Sequence, residues 1–124
     1  MANPNGRKGT AFERQTADFW RDHWDDRIDR RVKTGAKDKG DVANLRLGPH
    51  RIAVECKNER RTDLAGWVKE AQEEAENDGA LLGVVVAKRK GHGQPQDQYV
   101  IMTQGDLLKL LQAKLEEQNT LRPA

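Results

Sequence analysis

The chain has 124 residues, and we expect one domain over 1–124 with flexible ends at 1–8 and 119–124. Its single cysteine excludes an intramolecular disulfide and a zinc site built from several cysteines, which fits a reducing compartment. No stretch approaches the ~18 consecutive apolar residues of a membrane span, and no signal-peptide core is present, so the sequence predicts a soluble cytoplasmic protein without a membrane partner.

The net charge of +2 hides an uneven distribution along the chain. Residues 1–61 carry 15 Lys and Arg against 10 Asp and Glu, whereas residues 62–124 carry 7 against 10. Within residues 27–61 there are 11 basic and 5 acidic side chains. A local basic surface of this kind suits a polyanion, of which nucleic acid is the commonest, although a solvated charged surface explains the same distribution.

The first predicted element is a helix over residues 10–24, after a frayed start at residues 1–9. Thr10 is expected to be the N-cap, with Glu13 three residues later completing a capping box. Glu13 also heads an apolar stripe of the helix, so its carboxylate lies at the edge of the buried face. Capping alone explains Glu13, and a functional role stays open at this point.

Strand patterns follow over residues 27–32, 41–47 and 51–58. A polar, glycine-bounded connection over residues 34–40 separates the first strand from the second. The second and third strands alternate in polarity and are joined by the turn at residues 48–50, so they predict a β-hairpin.

The second half of the chain predicts a helix over 63–78, a buried strand over 80–87, a basic loop over 88–95, a strand over 98–102 and a leucine-rich helix from Thr103. The apolar stripe of the first of these helices is expected at Leu64, Val68, Ala71 and Ala75. The order α-β-β-β-α-β-β-α predicts an α/β (α+β) fold, a mixed sheet with helices against it. The last helix either covers the sheet or forms a dimer surface.

Three charged residues of the predicted hairpin form the most informative pattern. Glu55 and Lys57 are two positions apart on one strand, so their side chains emerge on the same face, and Asp41 opens the partner strand. Converging carboxylates repel one another, and a divalent cation relieves that repulsion. Oxygen ligands without His or Cys spacing favour Mg²⁺ or Mn²⁺. An ordinary surface pair worth under ~1 kcal/mol is the alternative interpretation of Glu55 and Lys57.

In this arrangement the sequence resembles the PD-(D/E)XK nuclease superfamily, and within it the archaeal-type Holliday junction resolvases. The resemblance extends from Lys8 to Ala87, and its parts are Lys-Gly-Thr-Ala-Phe-Glu-Arg at 8–14, an Arg-containing strand at 27–32, a glycine-containing loop at 34–40, Asp41-Val42, and Val-Glu-Cys-Lys-Asn at 54–58. It implies a restriction-endonuclease-like α-β-β-β-α-β core, here with an extra C-terminal strand and helix. In two places the sequence departs from the pattern: Gly40 replaces the proline of "PD", and only Thr34 can stand for the loop serine of many resolvases.

The resemblance also implies the roles of individual residues. Glu13, Asp41 and Glu55 would be metal-binding carboxylates, with the Cys56 backbone carbonyl as an additional ligand and Mg²⁺, replaceable by Mn²⁺, as the metal. Lys57 would be the catalytic lysine. Gln72, on the following helix, would reach the active site, although an ordinary glutamine at a helix edge is equally consistent.

Further residues are candidates for DNA contacts or for the core. The candidates for DNA contacts are Lys8, Arg14, Arg30, Arg31, Lys33, Thr34, Lys37, Lys39, Arg60, Arg61, Lys88, Arg89 and Lys90. Each basic side chain among them is also consistent with an ordinary surface residue. We expect Cys56 and the three tryptophans, Trp20, Trp24 and Trp67, to pack in the core.

Together the residues and the resemblance imply a Mg²⁺-dependent endodeoxyribonuclease that acts on branched DNA as a homodimer. Two opposed nicks in a four-way junction suit a dimer with two identical sites. Two alternatives stay open: a nuclease of the same fold acting on flap, single-stranded or linear duplex DNA, and a non-catalytic DNA-binding protein of that fold.

Overall fold

The computed structural model describes residues 4–32 and 35–121. Within these ranges there are three helices: α1 (Pro4–His23), α2 (Leu64–Asp78) and α3 (Gln104–Leu121). The strands are β1 (Asp29–Arg30), β2 (Val42–Ala43), β3 (Arg46–Leu47), β4 (His50–Lys57), β5 (Leu82–Ala87) and β6 (Tyr99–Ile101). None of the helices in the described ranges has the length and apolar character needed to cross a bilayer.

The strands form one mixed sheet in the order β1-β2-β4-β5-β6, with β3 paired to β4. Strands β4 and β5 run parallel, with Glu55 opposite Val85 and Lys57 opposite Ala87, and the other pairs are antiparallel. Two parallel neighbours need a long crossover connection, usually a helix, and α2 makes that connection. The predicted fold class, an α+β fold with a restriction-endonuclease-like core, is confirmed.

Side chains alternate between two apolar layers, one on each face of the sheet. The first layer joins α1 to the sheet and contains Phe12, Ala17, Val54, Val84 and Val86. The second layer joins α2 to the opposite face and contains Trp67, Ala71, Val85 and Ala87. Because β4 and β5 are covered on both faces, the residues of β5 are all buried, as its apolar sequence predicts.

Two predicted helix ends are wrong. Helix α1 begins at Pro4 rather than at residue 10, so Thr10 lies inside the helix and the predicted capping box does not form. Proline suits the first turn of a helix, because its φ is already set and its missing N–H would have no partner there. Helix α3 continues to Leu121, so residues 119–121, where the predicted flexible tail begins, are helical.

The strand predicted over residues 41–47 is divided into β2 and β3. Asn44 adopts a φ of 71°, a left-handed conformation that asparagine tolerates better than most residues, and the strand cannot continue through it. The Asn44 side chain donates a hydrogen bond to the Arg27 carbonyl at 3.0 Å, which holds this break against the chain before β1.

The tryptophans and the half-buried Cys56 differ in their packing. Trp67 is buried and Trp20 partly buried in the core, whereas Trp24 is 55% exposed, so its predicted core position is wrong. Cys56 packs against the layer beneath α1. The predicted stripe of α2 is shifted too, because Leu64 is 52% exposed and Trp67 is buried instead.

Candidate active site

Asp41 is fixed to the central strand β4 by two hydrogen bonds. Its backbone N–H donates to the Val54 carbonyl at 2.7 Å, and its Oδ2 accepts from the Cys56 N–H at 2.8 Å. Asp41 is only 5% exposed. The sheet therefore holds the carboxylate in one place by hydrogen bonds to both its main chain and its side chain.

Gly40 explains why the proline of the superfamily pattern is absent here. Its φ is 99°, and a Cβ at this position would lie 2.9 Å from the Val54 carbonyl oxygen. Proline is restricted to a φ near −65°, so it cannot take this conformation, whereas glycine can. The departure at Gly40 is thus a requirement of the local backbone.

Glu55 faces α2 and lies between two other carboxyl groups. It is 5% exposed, and its side chain interacts with those of Asp41 and Glu74, the latter on α2 and 1% exposed. Carboxylate oxygens of Asp38, Glu55 and Glu74 lie within 4.8 Å of one another. The structure thus brings Asp41 and Glu55 together as predicted and adds two acidic residues, Asp38 and Glu74, that the sequence analysis did not single out.

The pKa values of these carboxyl groups are well above their ordinary range. Burial, then the neighbouring Glu55, raises the pKa of Asp41 to about 8. Burial is also the main cause that raises the pKa of Glu55 to about 8 and that of Glu74 to about 7. Burial disfavours the charged form, and close carboxyl groups disfavour it further by mutual repulsion. Without a cation, the cluster therefore retains protons near neutral pH.

Lys57 lies on the same face of β4 as Glu55, as the alternation predicts. Its Nζ is 2.5 Å from Glu70 Oε2 and 3.9 Å from Glu59 Oε1. Burial lowers the pKa of Lys57, but the hydrogen bond to Glu70 and the charge of Glu55 outweigh it and raise the pKa. The ammonium group is thus held charged beside the carboxyl cluster, and Glu70 is the residue that holds it.

Glu13 lies on α1, near the opposite side of β4. Its Oε2 accepts a hydrogen bond from Arg30 Nε at 3.0 Å. Burial raises the pKa of the Cys56 thiol, and the charges of Asp41 and Glu13 contribute to that rise. Glu13 is therefore near Cys56, but among the described residues it does not belong to the close set of carboxylates facing α2.

Gln72 is exposed, and the structure does not bring it to the carboxyl cluster. It lines a surface cavity together with Asp106 and Lys109. Successive helix residues are rotated by about 100°, so Gln72 points roughly 160–200° away from Glu70 and Glu74. The sequence did contain a signal for the missed residue Glu74. It is the third residue after Ala71 and so lies on the buried helix face that begins at Trp67.

The residues predicted to contact DNA differ in their surroundings. Arg14 pairs with Asp18 and Asp29, Arg30 with Glu13, and Arg31 with Asp78, so acidic neighbours already contact these three. Six others are exposed, namely Lys8, Lys37, Lys39, Arg60, Arg61 and Lys90. Lys33 and Thr34 lie outside the described residues.

Lys88 and Arg89 begin a loop that starts directly beside Lys57. The Lys88 N–H donates to the Lys57 carbonyl at 2.9 Å, because the parallel strands β4 and β5 end together. The side chain of Gln98 bonds to three backbone groups of the loop, those of Arg89, His92 and Gln94. The Arg89 guanidinium lies 4.7 Å from the centre of the Tyr99 ring. The basic loop is thus internally braced and adjacent to the candidate catalytic lysine.

The cluster suits a divalent cation. Glu55 Oε2 and both carboxylate oxygens of Glu74 are buried and, within the described part of the chain, accept no hydrogen bond from an N–H or O–H donor other than a neighbouring carboxyl group. Buried polar atoms normally have a partner. Oxygen atoms of carboxylates are the ligands preferred by Mg²⁺ and Mn²⁺. Hence Asp38, Asp41, Glu55 and Glu74 are the residues here that could hold a metal ion.

Because of the raised pKa values, the metal-free protein is expected to lose stability as the pH rises. Asp41 and Glu55 have ordinary pKa values of 3.8 and 4.5 and folded values of about 8, so between pH 4 and 8 the folded state binds more protons than the unfolded state. In EDTA we expect the melting temperature to fall by roughly 5 °C or more from pH 5 to pH 8. Added Mg²⁺ should reverse the loss at pH 8, and a melting temperature independent of both pH and Mg²⁺ would contradict this.

A comparison with family models assigns the chain to one family. The model described as "Phage putative PDDEXK endonuclease" matches residues 5–122, nearly the whole chain. No curated protein and no solved structure was found to match the chain. The matched region includes the carboxyl pair, Lys57 and all of the three described helices except Pro4 of α1. The chain therefore belongs to the phage PD-(D/E)XK endonuclease family.

Proposed function

We propose that this chain is a Mg²⁺-dependent endodeoxyribonuclease that hydrolyses phosphodiester bonds of branched DNA. The observation that carries the proposal is the buried pair Asp41 and Glu55, with Lys57 on the same strand face as Glu55. Membership of an endonuclease family supports the reaction class. A non-catalytic DNA-binding protein would have no need to bury carboxyl groups side by side at a cost in stability.

Asp41, Glu55 and the Cys56 backbone carbonyl would hold the metal, with Mn²⁺ able to replace Mg²⁺. When bound, the metal supplies positive charge at the cleaved phosphate and lowers the pKa of a coordinated water. The protein contributes a fixed position for the ligands, because Asp41 is bonded to Val54 and Cys56 on β4. The part of Glu13 in this metal site stays a prediction.

Lys57 would contribute a positive charge that does not depend on the metal. Glu70 orients its ammonium group through the 2.5 Å contact and helps to keep it protonated. In this position Lys57 would orient the attacking water or stabilise the negative charge that develops on the phosphate oxygens. A preorganised donor of this kind stabilises the transition state without reorganising during the reaction.

The DNA backbone would be bound by basic residues that flank the site in sequence. Lys37 and Lys39 precede Asp41, Arg60 and Arg61 follow Lys57, and Lys88 to Lys90 begin beside the Lys57 carbonyl. Arg31, Lys37 and Lys39 also line a cavity of about 250 Å³. Contacts of Lys and Arg with phosphates are largely independent of sequence and weaken with salt. The arrangement therefore favours recognition of DNA shape over base sequence.

The resemblance to resolvases supports branched DNA as the substrate and a homodimer as the active form, acting in the cytoplasm of the phage host. A dimer would present two identical sites to the two opposed strands of a junction. The exposed leucines of α3 are the proposed dimer surface: Leu107, Leu108, Leu111 and Leu115, which are 44–58% exposed. Exposed apolar patches of this kind commonly mark interaction sites.

The experiment that tests this function compares the cleavage of three DNA substrates. An immobile four-way junction, a flap and a linear duplex of matched sequence are incubated with the protein in Mg²⁺ or in EDTA. We expect paired, symmetric nicks in the junction that require Mg²⁺. Equal cutting of the linear duplex would exclude junction selectivity, and no Mg²⁺-dependent product from any substrate would exclude the nuclease function.

A further inference from the structure

A pocket of about 220 Å³ lies between α1 and the segment that links β5 to β6. Helix α1 contributes Thr16, Phe19 and Trp20 to its lining, and the linking segment contributes Pro95 and Gln96. The chemistry proposed above uses none of these five residues. The volume is below the ~300–1,000 Å³ of pockets that hold drug-sized ligands, so the pocket suits a smaller group such as a single ring system.

The α1 wall of this pocket is aromatic and held in place. Trp20 packs against the core beneath α1. The partly exposed Phe19 ring stands edge-to-face on Trp20, with ring centres 5.4 Å apart, and its centre is 4.9 Å from that of His23. Val86, which also lines the pocket, is 6% exposed. The pocket therefore offers apolar and aromatic surface whose shape is set before a ligand binds.

The opposite wall is tied to α1 and braced from within. Gln15 Nε2 on α1 donates a hydrogen bond to the Gly93 carbonyl at 2.8 Å. Gln98 Nε2 donates to the carbonyls of His92 and Gln94 at 2.9 and 2.7 Å. The side-chain amide of the exposed Gln96, in contrast, forms no hydrogen bond with the residues that the structure describes. This amide is therefore available to a ligand in the pocket.

The pocket lies beside the candidate active site but on the other face of the sheet. Val86 is paired with Cys56, the residue between Glu55 and Lys57 on β4. Side chains alternate along a strand, so Val86 belongs to the layer beneath α1 whereas Glu55 faces α2. A ligand reaching both places would have to pass the edge at which β4 and β5 end.

Basic residues lie along that edge. The linking segment starts at Lys88, whose N–H is bonded to the Lys57 carbonyl, and it carries Arg89 and Lys90 before it reaches the pocket. A DNA backbone bound along residues 88–90 would therefore lead from the active site toward the pocket. This charge favours nucleic acid as the occupant over an apolar peptide. None of the lining residues belongs to α3, so the leucine surface proposed for the dimer is separate.

We propose that this pocket receives one nucleobase that is unstacked from DNA at a branch point. The proposal rests on the proposed function, because it explains how the same nuclease would select branched DNA. Unstacking costs least where a base is already unpaired, which is the case at a branch and not within a continuous duplex. Aromatic and apolar side chains such as Phe19 stabilise a displaced base by packing against its ring. The amide of Gln96 has both donors and an acceptor, so it can bond the edge of any base.

The test compares two four-way junctions that differ in one nucleobase. Each carries one unpaired nucleotide at the branch point, which is either a thymidine or an abasic residue. Binding is measured by fluorescence anisotropy in EDTA, so that no cleavage occurs. We expect the wild type to bind the junction that has the base about tenfold more tightly than the abasic one. Phe19→Ala should bind both junctions equally, at the weaker affinity.

Two further variants separate the pocket from the fold. Gln94→Ala changes an exposed glutamine of the same segment whose side chain does not line the pocket, so this matched control should keep the preference for the base. Gln96→Ala should reduce the preference about threefold, because it removes one hydrogen bond at an exposed position. Circular dichroism confirms folding, and Gln96→Ala provides the test should Phe19→Ala fail to fold.

A photochemical crosslink locates the base directly. The unpaired thymidine is replaced by 5-iodouracil, the complex is irradiated, and the crosslinked peptide is identified by mass spectrometry. We expect the crosslink within residues 15–20 or 94–100, which form the two walls. A crosslink confined to any other part of the chain would overturn the proposal.

The binding results also distinguish this proposal from the nuclease function. A wild type with no preference for the base overturns the pocket, and Mg²⁺-dependent cleavage of the junction by that protein would leave the nuclease function standing. A folded Phe19→Ala variant that keeps the full preference overturns the pocket as well. A wild type that binds neither junction and cleaves no DNA contradicts both proposals.

Discussion

Replacing Glu55 by Gln is expected to reduce DNA cleavage on the order of 10³-fold or more, because the variant loses a carboxylate charge at the proposed metal site. Asp41→Asn and Lys57→Ala should cause losses of similar size. The measurement is the rate of nicking of a four-way junction in saturating Mg²⁺. Since Glu55 is 5% exposed and crowded by other carboxyl groups, Glu55→Gln should leave the metal-free protein at least as stable at pH 8 as the wild type.

A loss of cleavage without a loss of stability distinguishes an effect on catalysis from an effect on folding. Glu73→Gln, on the exposed face of α2, is the control and should cleave at the wild-type rate. Binding of a labelled junction in EDTA should be retained by Asp41→Asn and Glu55→Gln, because the proposed backbone contacts lie outside the carboxyl pair. Wild-type cleavage by both Asp41→Asn and Glu55→Gln would rule out this site as the catalytic centre.

Gly83→Ala should destabilise the protein by about 3 kcal/mol or more and lower its melting temperature by roughly 12 °C. A Cβ on Gly83 would overlap the backbone carbonyl oxygen of Ala71 and lie 2.6 Å from its carbonyl carbon. Gly83 lies in β5 and Ala71 in α2, and these two elements are packed against each other. The overlap can therefore be relieved only by moving the helix. Thermal unfolding followed by circular dichroism measures the effect.

A second glycine provides the opposite control. Gly9 lies inside α1, and a Cβ there would meet nothing within 4 Å, so Gly9→Ala should stabilise the protein by about 0.5–1 kcal/mol through helix propensity alone. If Gly83→Ala melted at the wild-type temperature, the close approach of α2 to β5 would be wrong. The position of Glu74 over the sheet would then be in question as well.

The central part of the site could be predicted because strand geometry is simple. Side chains on a strand alternate strictly, so Glu-x-Lys at the end of an apolar strand places Glu55 and Lys57 on one face. The hairpin pattern brought Asp41 to the neighbouring strand, and the structure shows it bonded to Cys56. The same logic predicted β5 as a strand buried on both faces.

The contribution of α2 could not be predicted in the same way. A helix presents a broad apolar stripe, and Ala71 and Ala75 fit a stripe that begins with Leu64 and Val68 as well as one that begins with Trp67. The resemblance implied that Gln72, on the first stripe, reaches the site, whereas the second stripe, which the structure buries, turns Glu74 inward. Tertiary packing against Val85 and Ala87 decides which of the two stripes is buried, and the local sequence of the helix does not contain that information.

Local backbone chemistry accounts for the other differences. The break between β2 and β3 depends on one residue, Asn44, with a positive φ that polarity alternation does not reveal. The early start of α1 depends on Pro4, which polar residues and glycines follow before any apolar stripe begins. In both places the sequence pattern predicted the correct type of element. The residue at which the element starts or stops, however, was set by the backbone preference of a single amino acid.

The double attachment of Asp41 to β4 has a consequence for how such an enzyme can be retargeted. Strand β4 is paired with β2 on one side and β5 on the other, so the carboxyl pair cannot be reshaped without unravelling the middle of the sheet. Residues 35–39 and 59–63 border the same site but lie outside the sheet. Grafting new versions of these two borders that keep Asp38 and Glu59 would alter which DNA shape is admitted, while the proposed hydrolytic centre is inherited unchanged.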